Sequence, residues 1–511
     1  MWSCASHYIR GETSHVQFGS PPDVALENSE PPPHLLLMTR SIFSFLVAGA
    51  LLATTATAQF FTPGNVVVLR VGDPALTLSG AAAPVFLDEW NTTTNTLVQS
   101  LEIPNSQTNA MPSFAQRGFS SSEGGLTVSA DGRYLIVAGY DRMIGSTDPS
   151  AELSATTNRV IARVDILTGL IDTSTALIDA YDATTFRCAT SLDGSSFWLS
   201  GTSSTGSVRY ATLGATSSQD IASSPSNVRW IDNHKGQLYI TSASTGSSSQ
   251  GVIEVGTGMP TTVGQTTTLL PGFPTTGVFN DGAPYDFWFA NDTTLYVADS
   301  AYLGTNCGVQ KWELAGGTWT NTYTIVVNAT ECIRGLSGVL RDGVAEIWFT
   351  AEPSGFITSL YKVVDTGVGS VPTLIQTEAP ETDYRGVRVI PAFRATQAGG
   401  CGSSSLQVTG PCLLGTNIEV DMLNASGFPF VNYSVTTLGL PLPNCGCVLL
   451  YDLGVLVGSA SSAIAMPNNP ALFGAVLYLQ GFDLFDVGSS CTSPVPAIPM
   501  STTDGIAITI Y

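Results

Sequence analysis

Short apolar stretches alternate with turn residues along most of the chain, and this pattern predicts β-strands rather than helices. The segment Gly125–Asp141 contains a short apolar run, an Asp-Gly turn and a second run rich in β-branched and aromatic residues. Asp-Gly and Asn-Gly pairs are what tight hairpin turns require. Two further strand-like runs follow at Arg159–Ile166 and Thr175–Asp179. The unit therefore predicts four antiparallel strands joined by short connections.

The same unit recurs, and its first strand restarts near residues 125, 187, 228, 286, 334 and 385. The clearest copies of the first two strands are Gly125–Asp141, Arg187–Gly201, Val228–Ser242, Asp286–Ser300 and Arg334–Glu352. A spacing of roughly 40 to 60 residues is typical of four-stranded propeller blades. The repeat therefore predicts a β-propeller.

The last copy, Tyr384–Pro391, has no partner strands behind it. Strand-like runs near the N-terminus could complete this blade, namely Asn65–Asp73, Pro84–Trp90 and Leu97–Pro104. Pairing the two ends would close the ring and remove an exposed sheet edge. We therefore predict a propeller over residues 59–395, closed by N-terminal strands pairing with strand 384–391. The composite blade makes six, while five or seven blades are also compatible with the spacing.

The composition of the chain changes after residue 400, where the repeat stops and Pro, Leu and Cys become more frequent. Strand-like runs between turn residues continue to the end of the chain: Leu414–Leu423, Phe430–Gly439, Cys447–Val455, Ala475–Phe482 and Gly505–Tyr511. About a hundred residues of this kind are typical of a small β-sandwich. Residues 401–511 are therefore predicted to form a separate C-terminal β-sandwich, and the fold class is all-β.

A targeting segment is predicted inside the chain rather than at its first residue. An apolar run from Ile42 to Leu52 is followed by Ala56-Thr57-Ala58, which matches the small-residue pattern of signal-peptide cleavage. We interpret residues 38–58 as a signal peptide and residues 1–37 as a disordered upstream extension translated in error. An extended n-region or a retained anchor is the alternative. The prediction is a secreted protein, extracellular or in the cell envelope, without a transmembrane segment after signal removal.

The charge of the chain limits the kinds of partner that it can bind. Charged residues make up only 12% of the chain, and 19 basic against 40 acidic residues leave a net charge of -21. Such an excess of negative charge repels nucleic acid and anionic membrane surfaces. No nucleic-acid partner is therefore predicted, and the partner would be an extracellular ligand or protein.

Cysteine usage fits export, because eight cysteines remain after the predicted signal peptide and five of them follow residue 400. An even number in an exported chain favours disulfides, although the pairing cannot be read from the sequence. The disulfide candidates are Cys307, Cys332, Cys401, Cys412, Cys445, Cys447 and Cys491. A bond between the blades is favoured for Cys307 and Cys332, which flank the outer strands of one blade and the inner strand of the next.

The residues present argue against several kinds of metal and cofactor chemistry. His234 is the only histidine after the predicted signal peptide, and it falls in a predicted hairpin turn. A metal site built from several histidines is therefore excluded, and no cofactor motif or catalytic residue is identified. Calcium stays open because it needs only carboxylates and carbonyls, although no Asp-x-Asp-x-Asp loop is present.

One constellation follows the repeat, because several inner strands begin with a charged residue. In a propeller these strand starts ring one mouth of the central channel, and the loops after the second strands open on the same face. The candidate ligand-binding residues are Arg187, Arg229, Asp286, Arg334 and Arg385 on the inner strands, with Asp141, Asp299 and Glu352 on the loops. Guanidinium groups there could hold a carboxylate or a sulfate. The structural alternative is that these charges pair between blades and lock the ring.

On the pattern of these repeats, residues 65 to 391 resemble bacterial extracellular propeller proteins with divergent repeats of the NHL and YVTN kind. The resemblance implies a fold and a binding role, and it transfers no catalytic residues. We therefore predict an exported, non-catalytic propeller that binds a ligand or partner, anionic or carbohydrate, at one face. A carboxylate- or calcium-dependent hydrolase or lyase acting on sugars or lactones is one alternative. A structural surface protein is the other.

Overall fold

A computed structural model describes residues 60–510 apart from 108–110, 121, 245–249, 276–281, 301–306, 329–330, 353–357, 393, 402, 443–446, 470–471, 473–474 and 487–499. The predicted extension 1–37, the predicted signal peptide 38–58, Cys445 and Cys491 lie outside the described residues.

Six sheets of four antiparallel strands occupy residues 66–389 of the described chain, and each forms one propeller blade. Blade 1 contains, from the innermost strand outwards, Asp383–Val389, Val66–Val71, Val85–Asn91 and Thr96–Glu102. Blade 2 contains Leu126–Val128, Tyr134–Tyr140, Arg159–Asp165 and Ile171–Leu177. Blade 3 contains Phe186–Thr190, Ser196–Gly201, Val208–Thr212 and Gln219–Ala222.

The other three blades follow in chain order. Blade 4 contains Val228–His234, Gln237–Ala243, Gln250–Val255 and Thr267–Leu269. Blade 5 contains Pro284–Asn291, Thr294–Asp299, Gly308–Ala315 and Thr318–Ile325. Blade 6 contains Cys332–Arg341, Val344–Glu352, Ser359–Val364 and Thr373–Thr377. A short sheet of Ala82–Ala83 and Gln116–Arg117 and a 3-10 helix, Pro149–Ala151, lie in the connections.

The ring is closed, because the innermost strand of each blade contacts those of the two neighbouring blades all the way round. Closure within blade 1 is made by Asp383–Val389, which pairs antiparallel with Val66–Val71. Val66 lies opposite Val389 and Val68 opposite Val387. The predicted six-bladed, all-β propeller is therefore confirmed by the strand order.

Apolar side chains fill the gaps between successive blades. Trp348 of blade 6 and Val68 of blade 1 belong to one buried cluster, and Tyr140 of blade 2 and Phe197 of blade 3 belong to another. Each blade therefore buries both faces of its sheet against its neighbours. This explains why second strands such as Val66–Val71 and Tyr134–Tyr140 are apolar on both sides instead of alternating.

The C-terminal part is a β-sandwich, as predicted. One sheet has five strands in the spatial order Arg394–Gln397, Met500–Thr509, Val476–Leu484, Phe428–Ser434 and Val455–Val457. The facing sheet has three strands, Ser405–Thr409, Asn417–Leu423 and Ser461–Ala465, and a two-stranded ribbon pairs Thr437–Pro441 with Val448–Tyr451. Val408 and Val420 from one sheet pack on Val431 and Leu479 from the other.

The Cys401–Cys447 disulfide, with 5.1 Å between the two Cα atoms, staples the start of the sandwich to its ribbon. Polar contacts tie the sandwich to the propeller: Asp342 donates its N–H to Gly415 O at 2.6 Å, and Lys235 lies 2.5 Å from Glu419. Within the described part of the chain, no helix has the length and apolar character needed to cross a membrane.

Candidate functional site: the channel entrance

The innermost strands of five blades carry a β-bulge at the same place, close to the strand start. In each bulge the inner strand holds one residue more than the second strand opposite it. The inner-strand residues of these bulges are Arg187, Arg229–Trp230, Tyr285–Asp286, Arg334–Gly335 and Arg385–Gly386. A bulge re-aims side chains by breaking the strand's alternation. Four predicted arginines and Tyr285 thus occupy equivalent positions at one end of the channel, which we call the entrance.

Threonine hydroxyls on the second strands connect two of these bulges to the next blade. Thr350 accepts the N–H of Gly335 at 2.9 Å and donates to the Arg385 carbonyl of blade 1 at 2.5 Å. Thr241 accepts the N–H of Trp230 at 3.1 Å and donates to the Tyr285 carbonyl of blade 5. Each hydroxyl satisfies a bulge N–H and links neighbouring blades.

Arg187 and Arg229 form the unbalanced part of the entrance. Burial, and then the charge of Arg229, lower the pKa of Arg187 to about 10, so the Arg187 guanidinium group remains charged at neutral pH. Among the described residues, Arg187 donates to two neutral oxygens, Asn227 Oδ1 at 2.5 Å and Val228 O at 2.9 Å. Neither arginine forms an ion pair with a carboxylate in the described part of the chain.

Tyr285 lies between two of the arginines. Its hydroxyl accepts a hydrogen bond from Arg229, and its ring centroid is 4.5 Å from Arg229 Cζ and 5.8 Å from Arg334 Cζ. Because the phenol oxygen is the acceptor in that bond, the phenol proton stays available to a ligand. The Nε atoms of Arg187, Arg229 and Arg334 are buried and have no hydrogen-bond partner among the described residues.

The remaining two arginines of the entrance are paired. Arg334 forms an ion pair with Glu352, and Arg385 donates to Asp383 at 2.7 Å. Arg385 also donates to Gln116 Oε1 at 3.1 Å and to the carbonyls of Arg117 and Gly118. Neither ion pair joins two blades, because Glu352 belongs to the same blade as Arg334 and Asp383 to the same strand as Arg385. Arg187 and Arg229 reach the next blade instead, through the neutral acceptors Asn227 Oδ1, Val228 O and the Tyr285 hydroxyl.

Asp286 does not join this group, although it belongs to one of the bulges. Its buried carboxylate accepts from Arg388 at 2.6 and 3.1 Å and from the N–H groups of Leu336 and Phe287 at 2.8 Å. Arg388 is on the closing strand of blade 1 and also reaches Asp232 of blade 4 at 3.3 Å. This guanidinium crosses the channel behind the entrance, and sequence reasoning missed it. The sequence gives no sign of the bulge at Arg385–Gly386. Because this bulge breaks the alternation of the strand, it places Arg385 and Arg388 on one face.

The other two predicted loop residues lie outside the arginine group. Asp141 accepts from the Ser113 N–H at 3.0 Å and from its hydroxyl at 2.6 Å, so it orders the connection between blades 1 and 2. Asp299 accepts from the Ala283 N–H at 2.9 Å and lines a separate cavity of about 170 Å³ between blades 4 and 5. The structure thus brings together Arg187, Arg229, Arg334, Arg385 and Glu352 from the predicted set.

At the opposite end, a cavity of about 240 Å³ lies between the inner strands and Pro411, in the loop of the sandwich that joins Ser405–Thr409 to Asn417–Leu423. His234 lines it at the end of the inner strand of blade 4, and Lys235 and Gly236, both with positive φ, form the hairpin turn. The imidazole stacks on Phe289 with 4.6 Å between ring centroids and lies 3.1 Å from Asp292, so it is packed rather than solvated. Burial lowers its pKa.

The predicted cysteines are distributed as follows. Cys401 and Cys447 form the disulfide, whereas Cys307, Cys332 and Cys412 are free thiols. Where the chain is described, no group of three or more His, Cys, Asp or Glu side chains is arranged to hold a metal ion.

A closed ring of six blades with an arginine-lined entrance, followed by a stapled sandwich, defines a β-propeller protein with an accessory C-terminal domain. No protein-family model and no curated protein matches the sequence.

Three solved structures illustrate what the chain is similar to. A candidate 6-phosphogluconolactonase from Bacteroides uniformis is 11% identical, with a TM-score of 0.34, over 80% of this chain and 98% of that one. Virginiamycin B lyase from Staphylococcus aureus is 12% identical, with a TM-score of 0.35, over 66% and 94%. The calcium-binding protein regucalcin from Agrobacterium tumefaciens is 13% identical, with a TM-score of 0.30, over 58% and 81%. The fold is therefore assigned from the strand order itself.

Proposed function

We propose that the protein is an exported propeller that binds an anionic ligand at the channel entrance. The observation that carries the proposal is the pair Arg187 and Arg229. Both are charged, they repel each other, and they lack a carboxylate partner in the described residues. Arg187 is buried and Arg229 is partly buried. Like charges withdrawn from water without counter-ions are costly, so a site of this kind is expected to gain its counter-ion from a ligand.

The hydrogen-bond donors define the chemical class of that ligand. The unpartnered Nε–H groups of Arg187, Arg229 and Arg334 and the hydroxyl proton of Tyr285 are all donors. Guanidinium groups recognise the paired oxygens of carboxylates and sulfates. An acidic sugar, a small carboxylic acid or a sulfated group would satisfy these donors. The negative charge elsewhere on the chain would not weaken binding once the ligand is inside the entrance.

Export is supported by the signal-like segment before residue 59 and by the Cys401–Cys447 disulfide, since disulfides persist in oxidising compartments. The ligand would then be extracellular or in the cell envelope. The sandwich would serve as an accessory module attached to the face opposite the entrance, where Lys235 and Asp342 contact it.

Binding is favoured over carboxylate catalysis by the state of the acidic groups. Glu352 and Asp383 at the entrance are engaged by Arg334 and Arg385, and Asp286 is engaged by Arg388. A hydrolase that uses two carboxyl groups needs both to face the substrate. The arginines, not the acids, are the groups left for a ligand.

The test measures the affinity of purified protein for sulfate and for glucuronate, by calorimetry and by the shift in melting temperature. Arg229→Gln should weaken binding by about 10- to 100-fold, since hydrogen bonds to charged groups contribute about 1.5 to 3 kcal/mol. Without ligand, this variant should melt no lower than the wild type, because the substitution removes repulsion on Arg187.

Arg163→Gln is the matched control, since Arg163 pairs with Asp172 on the outer part of blade 2 and should leave the affinity unchanged. Equal weakening by both substitutions would point to general electrostatics rather than to a site. A wild type whose melting temperature responds to neither anion would refute the proposed entrance site.

A further inference from the structure

Two free thiols meet where blade 5 and blade 6 approach each other beside the entrance. Cys307 directly precedes the third strand of blade 5, and Cys332 is the first residue of the inner strand of blade 6. The two thiol groups lie close enough for each to shift the pKa of the other. Cys307 Sγ lies 2.7 Å from Glu331 O, next to Cys332 along the chain. Cys332 Sγ lies 3.7 Å from Ser300 O of blade 5.

The surroundings make the pair chemically asymmetric. Cys307 is buried, whereas Cys332 is partly exposed. The neighbouring Cys307 thiol, supported by the charge of Arg334, lowers the pKa of Cys332, while the Cys332 thiol and burial raise the pKa of Cys307. Glu352 and Asp299 also face the pair and oppose ionisation. Cys332 is therefore the thiol suited to attack first, because the thiolate is the nucleophile.

We propose that Cys307 and Cys332 form a reversible disulfide that joins blade 5 to blade 6 at the entrance. With a small-molecule disulfide as oxidant, the Cys332 thiolate attacks one of its sulfurs and releases one thiol. Cys307 then loses its proton and attacks Cys332 Sγ, which releases the second thiol. In total, two S–H bonds give way to one S–S bond, and the oxidant is reduced to two thiols.

The bond would act directly on the entrance. Cys332 precedes Arg334 by two residues and lies opposite Glu352 in the register of blade 6. A link to Cys307 fixes the start of the inner strand that carries Arg334, and it constrains the chain between the two cysteines in the unfolded state. An effect on ligand affinity rests on the proposed function, whereas formation of the bond does not.

The experiment treats reduced, folded wild-type protein with oxidised glutathione, alkylates the remaining thiols, and maps tryptic peptides by mass spectrometry. Trypsin can cut after Lys311, so the two cysteines fall in different peptides. A linked peptide pair that dithiothreitol separates is the expected result. Oxidised wild type should also unfold at a higher temperature than the reduced form.

Two variants sharpen the result. Cys307→Ser should leave a glutathione adduct on Cys332 and should lose the difference in melting temperature between the oxidised and reduced forms. Cys188→Ser, which removes a buried thiol of blade 3, should still form the link. Alkylation of both Cys307 and Cys332 after oxidation, or a link from either one to another cysteine, would overturn the proposal.

Discussion

At the scale of single residues, the charge balance of the entrance depends on which of its arginines have a carboxylate counter-ion. Arg334 and Arg385 are paired with carboxylates, whereas Arg187 and Arg229 are bonded only to neutral groups among the described residues. The sequence predicted that these charged strand starts would converge, and it left open whether they bind a ligand or lock the blades. The structure shows which of them have a carboxylate partner and which contact neutral groups of the next blade.

The acidic partner of Arg334 should make the proposed anion binding depend on pH. Burial raises the pKa of Glu352 above its usual value of 4.5, and Arg334, Asp383 and Arg385 face the carboxyl group. A bound anion favours the neutral form of Glu352, so protonation and binding support each other. Affinity for sulfate, which stays ionised, should therefore rise as the pH falls towards the raised pKa of Glu352.

Glu352→Gln should bind sulfate more tightly than the wild type at about pH 8 and should reduce the pH dependence. Burial also raises the pKa of Glu123 near Arg385, so a weaker dependence should remain. Glu346→Gln, at a carboxylate paired with Arg341 and Lys362, serves as the control. Calorimetry at several pH values measures the effect, and an affinity independent of pH in the wild type would contradict it.

At the scale of secondary-structure elements, the repeated bulges set the direction in which the inner strands point their side chains. Each bulge turns one side chain toward the entrance, and a hydroxyl on the second strand satisfies the freed N–H in blades 4 and 6. The threonine hydroxyl is thus both a part of the blade and a link to the next one.

Thr350→Val should destabilise the propeller by about 1 to 3 kcal/mol, because the Gly335 N–H and the Arg385 carbonyl would lose a buried partner. Thr350→Ser keeps the hydroxyl and should lose less. Urea unfolding of the two variants measures the difference. Equal stability of the Val and Ser variants would mean that the hydroxyl is not the link.

At the scale of the whole molecule, ring closure and channel closure use the same strand. Asp383–Val389 completes blade 1 by pairing with Val66–Val71, and its Arg388 reaches across to Asp286 and Asp232. One arginine therefore ties blade 1 to blades 4 and 5 across the channel, in addition to the contacts between adjacent blades.

Arg388→Leu should destabilise the propeller by about 3 to 5 kcal/mol, because the buried Asp286 carboxylate and the partly buried Asp232 carboxylate would lose their cation. Adding Asp286→Asn and Asp232→Asn to the same chain should recover most of that loss, since no uncompensated charge then remains. Thermal unfolding with and without the two additional substitutions tests this. A triple variant no more stable than Arg388→Leu would show that the arginine acts through packing alone.

The sequence by itself determined the fold class, because each strand and turn is encoded locally. Alternating apolar runs and Asp-Gly turns predict the strands, and the period of these runs predicts the blades. The change in composition after residue 400 predicts the sandwich. It also placed Arg187, Arg229, Arg334 and Arg385 at strand starts, since the repeat itself sets those positions.

Only the tertiary structure decided which of these arginines face a counter-ion. Pairing depends on contacts between residues far apart in the chain, such as Arg388 with Asp232, and on bulges whose single extra residue leaves no clear pattern in the sequence. The same holds for Cys307 and Cys332, since only the packing of two blades brings their thiols together. Local pattern sets the elements, whereas charge balance and reactivity arise where the elements meet.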